Sequence, residues 1–264
     1  MQESQNTSNW FDRLWAAFIF FTRLPFWRIY QPQKEAFKAV VEFWPFTGWL
    51  TAGVMAGVLY GLSLLLPFEI TILLAFVIRL LVTGALHEDG LADFFDGFGG
   101  GGSDRQRILT IMKDSHIGTY GVLSLIIYFM LLWVTMRSFD SFDAAITILV
   151  ADPFSKMLSS IVTQVLPYAR NEESAKNKTI YRKFSTTAII SLALQGLIPL
   201  GLYLWWMQGR INTLIFVLLP LIVVLVLILF IKRRINGYTG DCCGAVFLLI
   251  ELSVYIVSSY YLHL

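Results

Sequence analysis

Residues 213–231 read TLIFVLLPLIVVLVLILFI, nineteen positions without a charge. A helix that crosses a bilayer core needs roughly 20 predominantly apolar residues, and this run has that length. Comparable runs lie at about residues 44–66, 70–86, 120–136, 144–166, 187–207 and 245–262. Over the whole chain 56% of residues are hydrophobic and 14% are charged, and the apolar residues come in blocks instead of alternating. The pattern predicts an all-α polytopic membrane bundle with about seven transmembrane helices, formed by residues 1–264 as one membrane-embedded domain. Two runs are interrupted by charge, the second by Arg79 and the fourth by Asp152 and Lys156.

Sixteen of the 20 Lys and Arg residues fall in residues 1–43 and in the segments after the second, fourth and sixth runs. The alternate connections carry only Arg137 and Arg210. Because basic residues are retained on the cytoplasmic side, the expected topology has the N-terminus in the cytoplasm and the C-terminus outside, in a bacterial or archaeal cytoplasmic membrane. Residues 1–43 begin MQESQNTSNWFDRLW and lack the features of a secretory signal. The following AAFIFF is too short to span, so an interfacial N-terminal helix is expected there. Adjacent Cys242 and Cys243 read as small helix-packing residues. A net charge of +2 gives no reason to expect a nucleic-acid partner.

Against this apolar background, residues 86–102 read LHEDGLADFFDGFGGGG, with Glu88, Asp89, Asp93 and Asp96 within nine positions. On a helix Asp89, Asp93 and Asp96 share one face, neighbours lying roughly 5–6 Å apart at Cβ. Like charges so placed oppose folding unless something neutralises them. A hard divalent cation does so, and an oxygen-only ligand set favours Mg²⁺ or Mn²⁺ over Zn²⁺. The expected metal ligands are Glu88, Asp89, Asp93 and Asp96, holding one or two Mg²⁺ ions against a substrate diphosphate. Gly97 and the run Gly99 to Gly102 offer a bare backbone that can approach a phosphate, and Arg105, Arg107 and Lys113 follow as phosphate partners. Residues 87–118 therefore read as an acidic, glycine-rich active-site segment.

The motif HEDGLADFFDG, with MKDSHIGTYGV at 112–122 and GYTGDCCGA at 237–245 plus Glu251, closely resembles the cobalamin synthase family, also called adenosylcobinamide-GDP ribazoletransferases. The likeness runs from Thr22-Arg23-Leu24-Pro25 and the FWPFTGWLTAG stretch at 43–53 to the last apolar run. It implies a Mg²⁺-dependent membrane transferase of vitamin B12 assembly. Its substrates would be adenosylcobinamide-GDP and α-ribazole, or the 5′-phosphate of the latter, and its by-product GMP. Membrane lipids are its surroundings, and a homo-oligomer is compatible with the sequence. Asp93-Phe94-Phe95-Asp96-Gly97 also looks like the DxxDG core of the CDP-alcohol phosphotransferases, but the Ala-Arg that follows in that family is Phe98-Gly99 here. A divalent-cation transporter, with the acids as its ion path, is the alternative of another class.

Within that reading Asp89, Asp93 and Asp96 carry the chemistry. Asp114 or His116 is the base on the ribazole hydroxyl, with Lys113 and Ser115 beside them at the substrate. Asp114 and Ser115 serve equally as a helix start. Asp241 is either an N-cap or a contributor to the site. Glu251, deep in the last run, is either a substrate-channel residue or the ion-pair partner of Arg79. Arg23 and Arg170 suit a nucleotide phosphate or an anionic lipid headgroup. Lys156 pairs with Asp152 one turn earlier, and His87 is either a ligand or, the preferred reading, an interfacial side chain.

Overall fold

A computed structural model describes residues 8–170 and 180–262. Lys176 and Lys178, which contribute to the charge bias, lie outside the described residues. Among the described residues there are ten α-helices: α1 Trp10–Phe21, α2 Trp44–Ser63, α3 Phe68–Thr83, α4 Leu86–Gly100, α5 Arg105–Ile111, α6 Thr119–Met136, α7 Ser141–Val165, α8 Thr186–Trp206, α9 Thr213–Ile235 and α10 Gly240–Leu262. A 3₁₀ stretch, Lys34–Phe43, runs straight into α2. Among the described residues the only β pairing is a single bridge between Tyr168 and Tyr238.

Helices α7 and α10 form the centre of the bundle, and α9 lies outermost. Within their most apolar stretches 83% of α10 residues are buried, against 22% for α9. The apolar side chains that α9 leaves uncovered, such as Leu214, Leu225 and Val226, suit lipid tails, which need no protein cover. Gly48 allows α2 to approach α7 closely, since a Cβ there would stand 3.0 Å from the Pro153 Cα. Helix α1, at 12 residues, is too short to cross a bilayer. It rests on the 3₁₀ stretch, where Glu42 ties Arg13 and Arg182 together at 2.7 Å each.

Among the described residues six helical segments are long and apolar enough to cross alone, and α3 with α4 makes a seventh only as a pair bent by 91°. The run expected at 70–86 is thus shorter than its hydropathy suggests: α3 ends at Thr83, and its 16 residues measure about 24 Å. It nevertheless runs from one end of the bundle to the other. The starts of α2, α6, α8 and α10 meet the ends of α3, α7 and α9 at one end of the bundle. Arg105 ties two of these ends together, donating to the Ile235 carbonyl at 2.7 Å and to the Ala169 carbonyl at 2.8 Å. Such alternation requires α3 to traverse the bundle, which keeps the count of crossings odd.

The bend has a local cause. Gly84 (φ +66°) and Ala85 (φ +53°) are both left-handed, a conformation that ends helices and that glycine adopts most easily. A Cβ on Gly84 would also overlap the Arg23 side chain, which lies across the corner. Arg23 is fixed there by its own N–H, which donates to the Val82 carbonyl at 2.7 Å. Gly84→Ala is therefore expected to lower the melting temperature of the purified protein, by strain of about 1 kcal/mol or more. Ala85→Gly, at the same corner, should raise it or leave it unchanged. A Gly84→Ala protein as stable as wild type would contradict this account of the corner.

Candidate active site

Helix α4 leaves the corner crosswise and packs over the first turn of α10 and against α6. Gly90 of α4 lies against Asp241, where a Cβ would meet the Asp241 carbonyl oxygen at 3.1 Å. Glu88 and Asp89 fall in the first turn of α4, where the helix dipole favours negative charge. The acids then divide by direction. Asp89 is exposed and Asp93 half-buried, one helical turn apart on one face. Asp96 is buried and accepts the Gly118 N–H at 2.7 Å and the Gly121 N–H at 2.8 Å. It thereby satisfies donors that the start of α6 would otherwise leave open. Glu88 is also buried, with Oε1 3.8 Å from Arg79 Nε.

Among the described residues no group of three or more His, Cys, Asp or Glu side chains converges as a metal centre. Magnesium asks for less, because one or two carboxylates suffice when water and substrate phosphate complete its shell. Asp89 and Asp93 meet that requirement. They share one face of α4, whereas Glu88 is buried beside Arg79 and Asp96 against the start of α6.

Two cavities open beside this face. One is a narrow cleft of about 140 Å³ between α4, the start of α10 and the aromatic side chains Phe21, Trp44, Tyr168 and Tyr181; Asp89, Asp241 and Arg170 also line it. Phe21 and Trp44 stack with ring centroids 5.2 Å apart and planes within 10°. Burial pushes the Tyr168 hydroxyl above its usual range, so that wall stays neutral. The other is an open hollow of about 670 Å³ lined by Arg105, Lys113, Asp114 and Arg170, among others.

Of the remaining residues expected at the site, Asp241 lies in the first turn of α10 at the cleft. Lys113 and Asp114 reach the hollow. Ser115 and His116 sit on the exposed segment before α6 and line neither cavity. His116 Nδ1 stands 2.7 Å from Asp114 Oδ1, and hydrogen bonds from His116 hold the Asp114 carboxyl below its ordinary range. Arg105 lines the hollow, but its guanidinium is engaged by the two carbonyls described above. Arg23 lies at the α3–α4 corner, beside a separate small cavity.

Other residues sit differently from expectation. Gly97 does not present bare backbone to a phosphate. It is buried inside α4, where a Cβ would press on the Met112 side chain and come within 3.2 Å of the Ile108 carbonyl, so it serves the packing of α5 on α4. Of the two roles open to Glu251, the structure shows the ion pair with Arg79. Glu251 is fully buried, accepts from Arg79 Nη1 at 2.9 and 2.8 Å, and receives the Tyr255 hydroxyl at 3.2 Å. The second intramembrane pair holds as expected, with Lys156 Nζ 2.6 Å from Asp152 and Thr51 bridging both.

His87 is not interfacial. It is buried among Phe21, Trp44 and Phe247, at centroid distances of 6.2, 5.8 and 4.8 Å. The aromatic wall of the cleft was not anticipated. Its rings come from four separate segments, and Trp and Tyr near the ends of spans ordinarily signal a membrane boundary. A density of rings around TRLP, FWPF and PYAR was the available clue.

These features define a multi-pass helical membrane protein whose polar site opens at one end of the bundle. The chain belongs to the cobalamin-5-phosphate synthase family, which it matches over residues 13–259. It is 32% identical over 249 residues to an adenosylcobinamide-GDP ribazoletransferase from Leptospira interrogans, covering 93% of this chain and 94% of that protein. Proteins of the same name from Shewanella frigidimarina (35% over 246 residues, 91% of each chain) and Shewanella baltica (31% over 261 residues, 97% of each chain) are comparably similar. No solved structure matches.

Proposed function

We infer that this protein is an adenosylcobinamide-GDP ribazoletransferase acting at the close of cobalamin synthesis. It transfers the phosphocobinamide part of adenosylcobinamide-GDP to α-ribazole, or to its 5′-phosphate, and releases GMP. The observation that carries this reading is the family match, which spans every element that builds the cleft. A ribazole hydroxyl oxygen bonds to the phosphorus that bears the cobinamide arm. The bond from that phosphorus to GMP breaks, and the hydroxyl proton passes to a carboxylate at the cleft or to water.

Asp89 and Asp93 are the residues that would hold Mg²⁺, which when bound neutralises charge on the diphosphate. Asp96 and Glu88 support this pair from behind: one anchors α6 beneath the acid face and the other faces Arg79. Asp114 is a poor proton acceptor because His116 stabilises its charged form. Its role is to orient the segment beside Lys113. The basic residues gathered at this end of the bundle support a site that faces the cytoplasm, in the cytoplasmic membrane of a bacterium or archaeon.

The test is turnover by purified protein given adenosylcobinamide-GDP and α-ribazole, with and without Mg²⁺. GMP and a corrinoid product should appear in equal amounts, and only with the metal. Release of CMP from a CDP-linked lipid, or cation uptake into sealed vesicles without GMP, would overturn the assignment.

A further inference from the structure

The cleft and the hollow are separate cavities with one charged residue in common. Arg170 lines both, and its Nη2 donates to the Leu109 carbonyl at 2.8 Å. Their linings differ in shape and charge. The cleft is narrow, and the half-buried rings of Phe20, Tyr168 and Tyr181 line it, with the buried Phe21–Trp44 stack behind them. The hollow is wide, and its described lining sets Arg105, Lys113 and Arg170 against a single acid, Asp114.

We propose that these are two substrate subsites: the aromatic cleft takes the flat, uncharged base of the ribazole acceptor, the basic hollow takes the guanine nucleotide phosphates, and Arg170 at their common wall contacts the phosphate being transferred. The proposal rests on the reaction inferred above. A neutral heterocycle gains from stacking on aromatic rings. A polyanion gains nothing from such faces, and Arg170 is the one Lys or Arg of the described cleft lining. In the hollow Arg105 and Lys113 join it, and its openness leaves a bulky corrinoid outside the protein. Transfer between two bound substrates requires the reacting phosphorus to lie where their sites adjoin. An arginine there matches the planar, multidentate demand of a phosphate better than a lysine does.

Gly240 allows the two sites to be perturbed separately. It lines the cleft at the start of α10, and a Cβ placed on it meets nothing within 4 Å. A leucine there intrudes into the cleft without displacing backbone. Equilibrium dialysis of the solubilised full-length protein, with α-ribazole and GMP as separate probes, is the test. Gly240→Leu should weaken α-ribazole binding by about tenfold or more and leave GMP binding unchanged. Lys113→Glu should do the reverse. Arg170→Ala should lower kcat with both substrates saturating, and Arg170→Lys should restore part of the loss. If Gly240→Leu does not fold, Tyr181→Ala at the opposite wall carries the same expectation. Wild-type binding of both probes, with Gly240→Leu and Lys113→Glu acting on the same one, overturns the partition alone. Wild-type binding of neither overturns the reaction assignment and the partition with it.

Discussion

Asp89→Asn and Asp93→Asn are each expected to reduce GMP release by about a thousandfold, with little change in melting temperature. The reasoning starts from direction and exposure. Both side chains stand on the outer face of α4, one turn apart, Asp89 exposed and Asp93 half-buried. Asparagine keeps the size of aspartate and removes the charge, so the helix survives while the site loses what neutralises a diphosphate. Metal-assisted charge stabilisation contributes several kcal/mol, and about 1.4 kcal/mol corresponds to each decade of rate. Asp96→Asn provides the contrast. Its carboxylate accepts two backbone N–H groups at the start of α6, so its loss should appear first as a lower melting temperature. Near-normal GMP release by Asp89→Asn, or equal destabilisation by all three variants, would rule out this division of labour.

The division also marks what can be read from sequence. Apolar runs of bilayer length are visible in one dimension, and six of the crossings match helices that qualify on their own. The helical spacing of Asp89 and Asp93 is equally visible, because it depends only on the turn of the helix. The break after Thr83 was hidden. Hydropathy averages through Gly84 and Ala85, and a left-handed alanine has no compositional signature. The same limit explains Gly97, Asp96 and His87. A glycine that admits Met112, an aspartate turned toward Gly118 and Gly121, and a histidine enclosed by rings are all defined by partners distant in the chain. The cleft was hardest to foresee, since Phe21, Trp44, Tyr168 and Tyr181 meet only once the helix ends are brought together. By contrast, the Arg79–Glu251 and Lys156–Asp152 pairs were anticipated, because a charge inside an apolar run needs a partner.

The Arg79–Glu251 pair leads to the second large effect. Arg79→Met should destabilise the protein by about 3–5 kcal/mol, because removing one partner of a buried pair leaves the other charge uncompensated. Two carboxylates lose their cation in that variant, Glu251 at 2.8 Å and Glu88 at 3.8 Å. Glu251→Leu should be milder, since Arg79 keeps Glu88 and the face of Phe247, 5.4 Å from its guanidinium carbon. The double variant should recover much of the stability lost by Arg79→Met, as buried ion pairs replaced by apolar side chains of similar volume often do. Adding Glu88→Gln should recover more, by removing the last unpaired charge. Melting temperatures of the solubilised proteins, ranked across this series, test the order. The ranking separates two roles for Glu251 as well. A double variant that folds and still releases GMP makes the pair a structural brace between α3 and α10, whereas one that folds but has lost turnover would return Glu251 to the substrate path.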